Sequence, residues 1–139
     1  MSEAADSVAF KRLRDGLKAL LIEDSLTSAT LICHQLRSIG IEPLLAHDGE
    51  EGIALFKQHR PALVLLDVIL PGMDGFEMIR RLRTMPDLSS MDIIVVSAID
   101  ADEIRERGMP TDVTVFAKPI PFHELKGFVL GRLAARQRS

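Results

Sequence analysis

Four apolar runs of this 139-residue sequence end in side chains that can do chemistry. Glu23 and Asp24 follow the first run, Asp67 follows the second, and Ser97 and Lys118 end the third and fourth. The carboxyl ends of parallel strands meet at one edge of a sheet, where open α/β proteins bind their ligands. If the runs are such strands, that edge holds three carboxylates, a hydroxyl and an ammonium.

This set of groups is suited to phosphoryl transfer. Carboxylates that are forced together repel one another, and Mg²⁺, which prefers oxygen ligands, relieves that repulsion. Beside the metal, Asp67 stays ionised and can attack phosphorus to form an acyl phosphate. Lys118, the Ser97 hydroxyl and the backbone N–H of Ala98 can then stabilise the charge on the phosphoryl oxygens.

Each of these residues also has an ordinary structural interpretation. Asp24 could cap a helix, Ser97 could cap the next helix or simply end a strand, and Lys118 could be a solvated surface lysine. The pair Asp74-Gly75 could signal only a turn. Their joint occurrence at strand ends, in this order, favours a functional site.

Apolar runs alternate with segments of helical periodicity along the chain. Strands are predicted at 17–22, 43–46, 62–66, 91–96 and 113–117, and helices at 25–39, 50–59, 75–83, 100–107 and from 121 onward. This alternation predicts an α/β fold with five helices on both faces of a doubly wound, five-stranded parallel sheet. A flavodoxin-like strand order, 2-1-3-4-5, would place Asp24 and Asp67 on either side of the point where the order reverses.

The alternation begins at residue 17 and indicates one domain, which we expect to extend over residues 17–136 with a tail at 137–139. Residues 1–16 precede it, either as a short basic-faced helix or as a loose arm, and we expect partial disorder there.

Composition and charge exclude several classes of function. Lys and Arg number 17 against 20 Asp and Glu, and no basic cluster indicates nucleic-acid binding. No apolar stretch approaches the ~20 residues of a membrane helix, and the acidic N-terminus is unlike a signal peptide. We therefore expect a cytoplasmic protein. Cys33 is the one cysteine, so no intrachain disulfide can form, and its place on an apolar helical stripe predicts a buried side chain.

Four segments together resemble the receiver domain of two-component response regulators. They are 21–25 (LIEDS), 65–75 (LLDVILPGMDG), 95–98 (VVSA) and 117–119 (AKP). The resemblance implies that Asp67 accepts a phosphoryl group from the phosphohistidine of a histidine kinase or histidine phosphotransfer protein. It also implies a signalling protein that catalyses only its own phosphorylation and dephosphorylation.

The resemblance further assigns a role to each site residue. Asp24, Asp67 and the backbone carbonyl of Ile69 would bind Mg²⁺ or Mn²⁺, and Glu23 would act mainly through a metal-bound water. Ser97, Lys118 and the Ala98 N–H would contact the phosphoryl group. The Lys118–Pro119 bond is often cis in this family.

For output, the resemblance implies a stand-alone regulator or phosphorelay intermediate that reaches a protein target through its fourth helix, fifth strand and fifth helix. A piece of a longer protein is the alternative. The sequence does not indicate an oligomeric state.

The sequence departs from the family pattern at two positions and has two further distinctive residues near the site. Glu23 stands where the family more often has Asp. Val115 stands where it usually has Tyr or Phe, whose rotation accompanies phosphorylation, and Phe116 should point to the opposite face of the strand. Ile69 and Ile99 could overhang the site and slow the attack of water on the acyl phosphate.

Three other functions remain as alternatives. A phosphatase of the haloacid dehalogenase type would need a second acid where Ile69 stands. A flavin-binding domain could use the hydroxyls after the first strand, but Glu23 and Asp24 would repel its phosphate. A receiver-like interaction module that is never phosphorylated is compatible with Val115, and the complete acidic and lysine set argues against it.

Overall fold

Five strands and five helices alternate in the computed structural model of the protein, which describes residues 17–70, 72–85 and 92–138. They are β1 (Lys18–Ile22), α1 (Leu26–Ser38), β2 (Glu42–Ala46), α2 (Gly49–His59), β3 (Leu63–Leu66), α3 (Gly75–Arg83), β4 (Asp92–Ser97), α4 (Ala101–Glu106), β5 (Thr114–Ala117) and α5 (Phe122–Arg138). The sequence pattern therefore predicts every element. The proposed extension at 1–16 lies outside the described residues, and α5 continues through positions 137–138, which the pattern assigns to a tail.

The strands form one parallel sheet in the order β2-β1-β3-β4-β5, which confirms the predicted flavodoxin-like topology. Ile22 at the end of β1 pairs with Leu66 at the end of β3, and Ser97 pairs with Ala117 at the end of β5. This register brings the carboxyl ends of the central strands to one edge of the sheet.

Alternate residues of each strand enter two separate cores. Leu21 and Leu65 face α1 and α5, while Ile22 and Leu66 face α2, α3 and α4. Both faces of the inner strands are thereby covered, as their unbroken apolar sequences predict. Cys33 lies buried in the first core, as predicted.

The two successive residues Val115 and Phe116 of β5 also point to opposite faces, as the sequence predicts. Val115 packs against the core beneath α2–α4, and Phe116 packs against the other core. The Phe116 ring meets the ring of Phe128 edge-to-face, with 5.9 Å between centroids. Phe116 is therefore held on the α5 side and does not occupy the place of the missing aromatic residue.

Short polar side chains fix where the helices begin. Ser25 caps α1, because its hydroxyl accepts a hydrogen bond from the Ser28 N–H, and Asp74 caps α3 by accepting one from the Glu77 N–H at 2.8 Å. Asp24 is thus not the cap of α1. No helix in the described part of the chain is long and apolar enough to cross a membrane.

Candidate functional site

The acidic residues predicted for the site meet at the carboxyl edge of the sheet. The Asp67 N–H donates to the carbonyl of Ile22 at 3.1 Å, and the Glu23 N–H donates to that of Ala46 at 2.9 Å, so both residues extend the strand pairing. Glu23, Asp24 and Asp67 each contribute a carboxylate oxygen to a group whose members all lie within 4.8 Å of one another. Glu23 and Asp67 are buried, whereas Asp24 is exposed to solvent.

Lys118 joins this cluster from the end of β5. Its ammonium donates a hydrogen bond to Asp67 Oδ2 at 2.7 Å and another to Glu23 Oε1. The backbone N–H of Lys118 donates to the Ser97 carbonyl at 2.9 Å, which continues the pairing of β4 with β5. The sequence predicts that Lys118 and Asp67 meet, but not the contact with Glu23.

Burial and charge act in opposite directions on these groups. Burial raises the pKa of Glu23, and the hydrogen bond from Lys118 offsets only part of that rise. Burial alone would lower the pKa of Lys118, but its hydrogen bonds to Asp67 and Glu23 outweigh it, so the pKa is raised. Lys118 therefore remains an ammonium and serves as the internal counter-charge of the site.

Backbone N–H groups hold the other polar oxygens in place. Asp67 Oδ1 accepts from the Ile69 N–H at 3.0 Å, and Glu23 Oε2 accepts from the Ser25 N–H at 3.3 Å. The hydroxyl of Ser97, fully buried at the end of β4, accepts from the Ile99 N–H at 3.1 Å. Because these bonds occupy lone pairs of the oxygens, each side chain is oriented before any ligand arrives.

The remaining predicted residues lie in the loops around the cluster. Ala98 is exposed in the bend that follows β4, and the side chain of Ile69 is 57% exposed in the loop after β3. The Lys118–Pro119 peptide bond is cis. The roles of the Ala98 N–H and the Ile69 carbonyl stay predictions, because no contact of either group tests them.

Gly75 has a role at the site that the sequence does not indicate, although it ends the 65–75 segment and begins the predicted helix. A Cβ on Gly75 would lie 2.5 Å from Val68 Cα and 3.0 Å from the carbonyl oxygen of Asp67. The Gly75 N–H also donates to the Val68 carbonyl at 2.8 Å. Gly75 thus lets α3 begin directly against the backbone that carries Asp67. In the sequence, the pair Asp74-Gly75 indicates a turn. It does not indicate that Gly75 lies against the backbone of Asp67 and Val68.

The donor set of the cluster fits a hard divalent cation. All the side-chain groups are carboxylate oxygens, they lie close enough to share one ion, and one of them is open to solvent. Mg²⁺ takes oxygen ligands and usually keeps several waters, which the exposed side of Asp24 can accommodate. Glu23, Asp24 and Asp67 are therefore the residues that would hold such an ion.

Comparison with known proteins places this geometry in a family. The chain is 31% identical over 127 residues to the cyclic di-GMP phosphodiesterase response regulator RpfG of Xanthomonas campestris, covering 89% of this chain and 34% of RpfG. It is 32% identical over 85 residues to protein PilH of Pseudomonas aeruginosa, covering 61% of this chain and 70% of PilH. The chain thus spans only about a third of the first relative.

A solved structure supports the same assignment. The receiver domain of a sensor histidine kinase from Pseudomonas aeruginosa, solved with a magnesium ion coordinated in its active-site cleft, superposes with a TM-score of 0.73 at 27% identity. The match covers 85% of this chain and 98% of that one. The sequence model of the response regulator receiver domain matches residues 19–129. This chain therefore belongs to the response regulator receiver domain family.

Proposed function

We propose that Asp67 is the phosphoacceptor of this receiver domain, and that it takes its phosphoryl group from the phosphohistidine of a histidine kinase or histidine phosphotransfer protein. The observation that carries the proposal is the position of the Asp67 carboxylate. It is buried, it lies in a cluster of three carboxylates, and it accepts a hydrogen bond from the Lys118 ammonium.

The transfer follows from this arrangement. A carboxylate oxygen of Asp67 attacks phosphorus, the new P–O bond forms as the P–N bond to the donor imidazole breaks, and the imidazole leaves with the bonding electron pair and takes up a proton. Asp67 Oδ1 is oriented by the Ile69 N–H, and Oδ2 by Lys118. The attacking group therefore needs little rearrangement.

The phosphoryl oxygens gain charge that the site can stabilise. Lys118 supplies a positive charge, and we assign a hydrogen bond each to the Ser97 hydroxyl and the Ala98 N–H. Bound Mg²⁺ would supply further positive charge to the phosphoryl oxygens. Asp24, Asp67 and the Ile69 carbonyl are its proposed direct ligands, and Glu23 would act mainly through a metal-bound water. Mn²⁺ is the expected substitute because it takes the same oxygen donors.

Phosphorylation then changes the surface presented to a downstream protein. Movement of Ser97 and Lys118 toward the phosphoryl group would shift the population of the segment 99–108, which carries α4. We propose that a protein target reads this change on the face formed by α4, β5 and α5. Because Val115 replaces the usual aromatic residue, this response would not depend on an aromatic rotation in β5.

Intact mass spectrometry tests the proposal. The protein is incubated with acetyl phosphate and Mg²⁺, and wild type is expected to gain one phosphoryl group. Asp67→Asn should gain none, and the control Asp74→Asn, which changes the nearby helix cap, should still gain one. Chelation of the metal should prevent the gain. A wild type that remains unmodified under these conditions and with histidine phosphodonor proteins would instead support an interaction module that is never phosphorylated.

A further inference from the structure

Gln35 is a buried amide on the otherwise apolar inner face of α1. Its neighbours on that face are Ala29, Ile32, Cys33 and Leu36, and Gln35 itself is only 6% exposed. An amide in such a position is unfavourable unless it makes hydrogen bonds. An apolar side chain of similar size would pack equally well at this position. The role of the amide is therefore to be found in the hydrogen bond that it makes.

The contact is with the segment that carries Lys118. Gln35 Nε2 donates to the backbone carbonyl of Ile120 at 3.0 Å, across 85 positions of sequence. The carbonyl lies two residues beyond Lys118, and Pro119 between them has no N–H to donate. The Lys118 N–H is bonded to the end of β4, so the segment 118–120 is held by the sheet at its start and by Gln35 at its end.

A surface groove lies where α1 meets this segment. The groove has a volume of about 220 Å³, and it is lined by Leu31 and Ile32 of α1 on one side and by Lys118, Pro119 and Ile120 on the other. The Ile120 side chain is buried in the same core as Ile32 and Leu36, and the Gln35 hydrogen bond adds a directional link between α1 and the backbone of the segment. Gln35 Oε1 has no hydrogen-bond partner among the described residues, so the bond to Ile120 is the amide's identified polar contact.

We propose that Gln35 is a positioning residue for phosphoryl transfer: by holding the Ile120 carbonyl against α1, it sets where the Lys118 ammonium lies relative to Asp67. The inference rests on the proposed role of Asp67 as phosphoacceptor. It assigns to α1 a direct influence on the group that stabilises the transferred phosphoryl oxygens, through a residue that touches neither the metal ligands nor the phosphoryl group.

The test measures phosphorylation by acetyl phosphate at saturating Mg²⁺ in wild type and Gln35→Met, which keeps the side-chain length and removes the donor. We expect the maximal rate to fall about tenfold or more, because small misplacements of a catalytic group are costly. The Mg²⁺ concentration for half-maximal rate should not change. Cys33→Ala, which alters the same helix face but removes no hydrogen bond to the segment, should keep the wild-type maximal rate.

A second background separates positioning from a general loss of structure. In Lys118→Ala, the further change Gln35→Met should have no effect on the remaining rate, since the residue that it positions is gone. The side chain of Gln35→Asn is one methylene shorter, so its amide should not reach the Ile120 carbonyl, and this variant should lose the same rate as Gln35→Met. If Gln35→Met does not fold, the rate of Gln35→Asn provides the test.

The outcomes distinguish the inference from the proposed function. If wild type is phosphorylated on Asp67 and both Gln35 variants keep its maximal rate, the inference is wrong while the proposed function stands. An equal loss in the presence and absence of Lys118 would also overturn it. If wild type accepts no phosphoryl group at all, the proposed function and the inference both fall.

Discussion

Lys118 Nζ lies 2.7 Å from Asp67 Oδ2, although 51 positions of sequence separate the two residues. The same ammonium donates to Glu23 Oε1. One ammonium is thus the shared counter-charge of two carboxylates that the ends of β1 and β3 bring together, and it can balance only one of their two negative charges. The exposed Asp24 lies outside this pairing. A divalent ion held by the three carboxylates would share Asp67 with Lys118, so metal binding and the lysine contact should be energetically linked.

Removal of the lysine charge tests this linkage. Lys118→Met leaves Glu23 and Asp67 buried without their counter-charge, and we expect it to lower the free energy of unfolding by about 3 kcal/mol when the metal is chelated. Added Mg²⁺ should stabilise this variant more than wild type, because the ion becomes the main counter-charge. Urea unfolding followed by circular dichroism measures both effects, since the chain has no Trp or Tyr.

The matched control for this experiment is Lys126→Met, which changes an exposed lysine of α5. Its free energy of unfolding should lie within about 0.5 kcal/mol of wild type. The gain in that free energy when Mg²⁺ is added should be the same as in wild type. If Mg²⁺ stabilised Lys118→Met and wild type by the same free energy, the lysine and the metal would not share the carboxylates.

Two isoleucines next to the site should prolong the life of the acyl phosphate. The N–H of Ile69 is bonded to Asp67 and that of Ile99 to Ser97, so both side chains start beside the reacting groups. Replacing both by Asn should admit and orient water, and we expect hydrolysis to accelerate about tenfold, equivalent to ~1.4 kcal/mol of barrier. Loss of the phosphoryl mass with time measures the rate.

Unfolding in urea provides the control for that rate, because the acyl phosphates of wild type and the double variant should then hydrolyse equally fast. Equal half-lives in the folded proteins would mean that the isoleucines do not shield the site.

Gly75 is closely packed against the backbone next to Asp67, whereas Gly127 has open space around it. Alanine substitutions at these two positions test whether the close packing at Gly75 matters for Asp67. Gly75→Ala forces a Cβ to within 2.5 Å of Val68 Cα, and we expect it to cost about 1–3 kcal/mol of stability and to slow phosphorylation. Gly127→Ala in α5 meets nothing within 4 Å and should stabilise the protein by up to about 1 kcal/mol, because Ala favours helix. Urea unfolding measures both, and an unchanged free energy of unfolding in Gly75→Ala would contradict the close packing of Gly75 against Val68.

The apolar runs predict the strands and their topology well, because inner strands covered on both faces require unbroken apolar sequence. The same runs place Asp67 and Lys118 at the sheet edge, and the period of two predicts that Val115 and Phe116 face apart. These features depend on the local apolar pattern and on the alternation of side chains along a strand, and both can be read from a single sequence.

Contacts that depend on the docking of distant segments were not predictable in the same way. The hydrogen bonds from Lys118 to Glu23 and from Gln35 to Ile120 join residues 95 and 85 positions apart. Their geometry depends on the paths of the loops after β1 and β5 and on the packing of α1 against the sheet. Arg60 ends α2 in the left-handed conformation with φ of 47°, a position that usually favours glycine. No local signal indicated any of these three features.

The most direct test of the account is to locate the phosphoryl group chemically. Protein treated with acetyl phosphate and Mg²⁺ is reduced with borohydride, which converts an aspartyl phosphate to homoserine, and is then digested and sequenced by mass spectrometry. We expect homoserine at position 67 and at no other aspartate. Homoserine at position 24 or 74 with Asp67 intact would contradict the assignment of Asp67 as the phosphoacceptor.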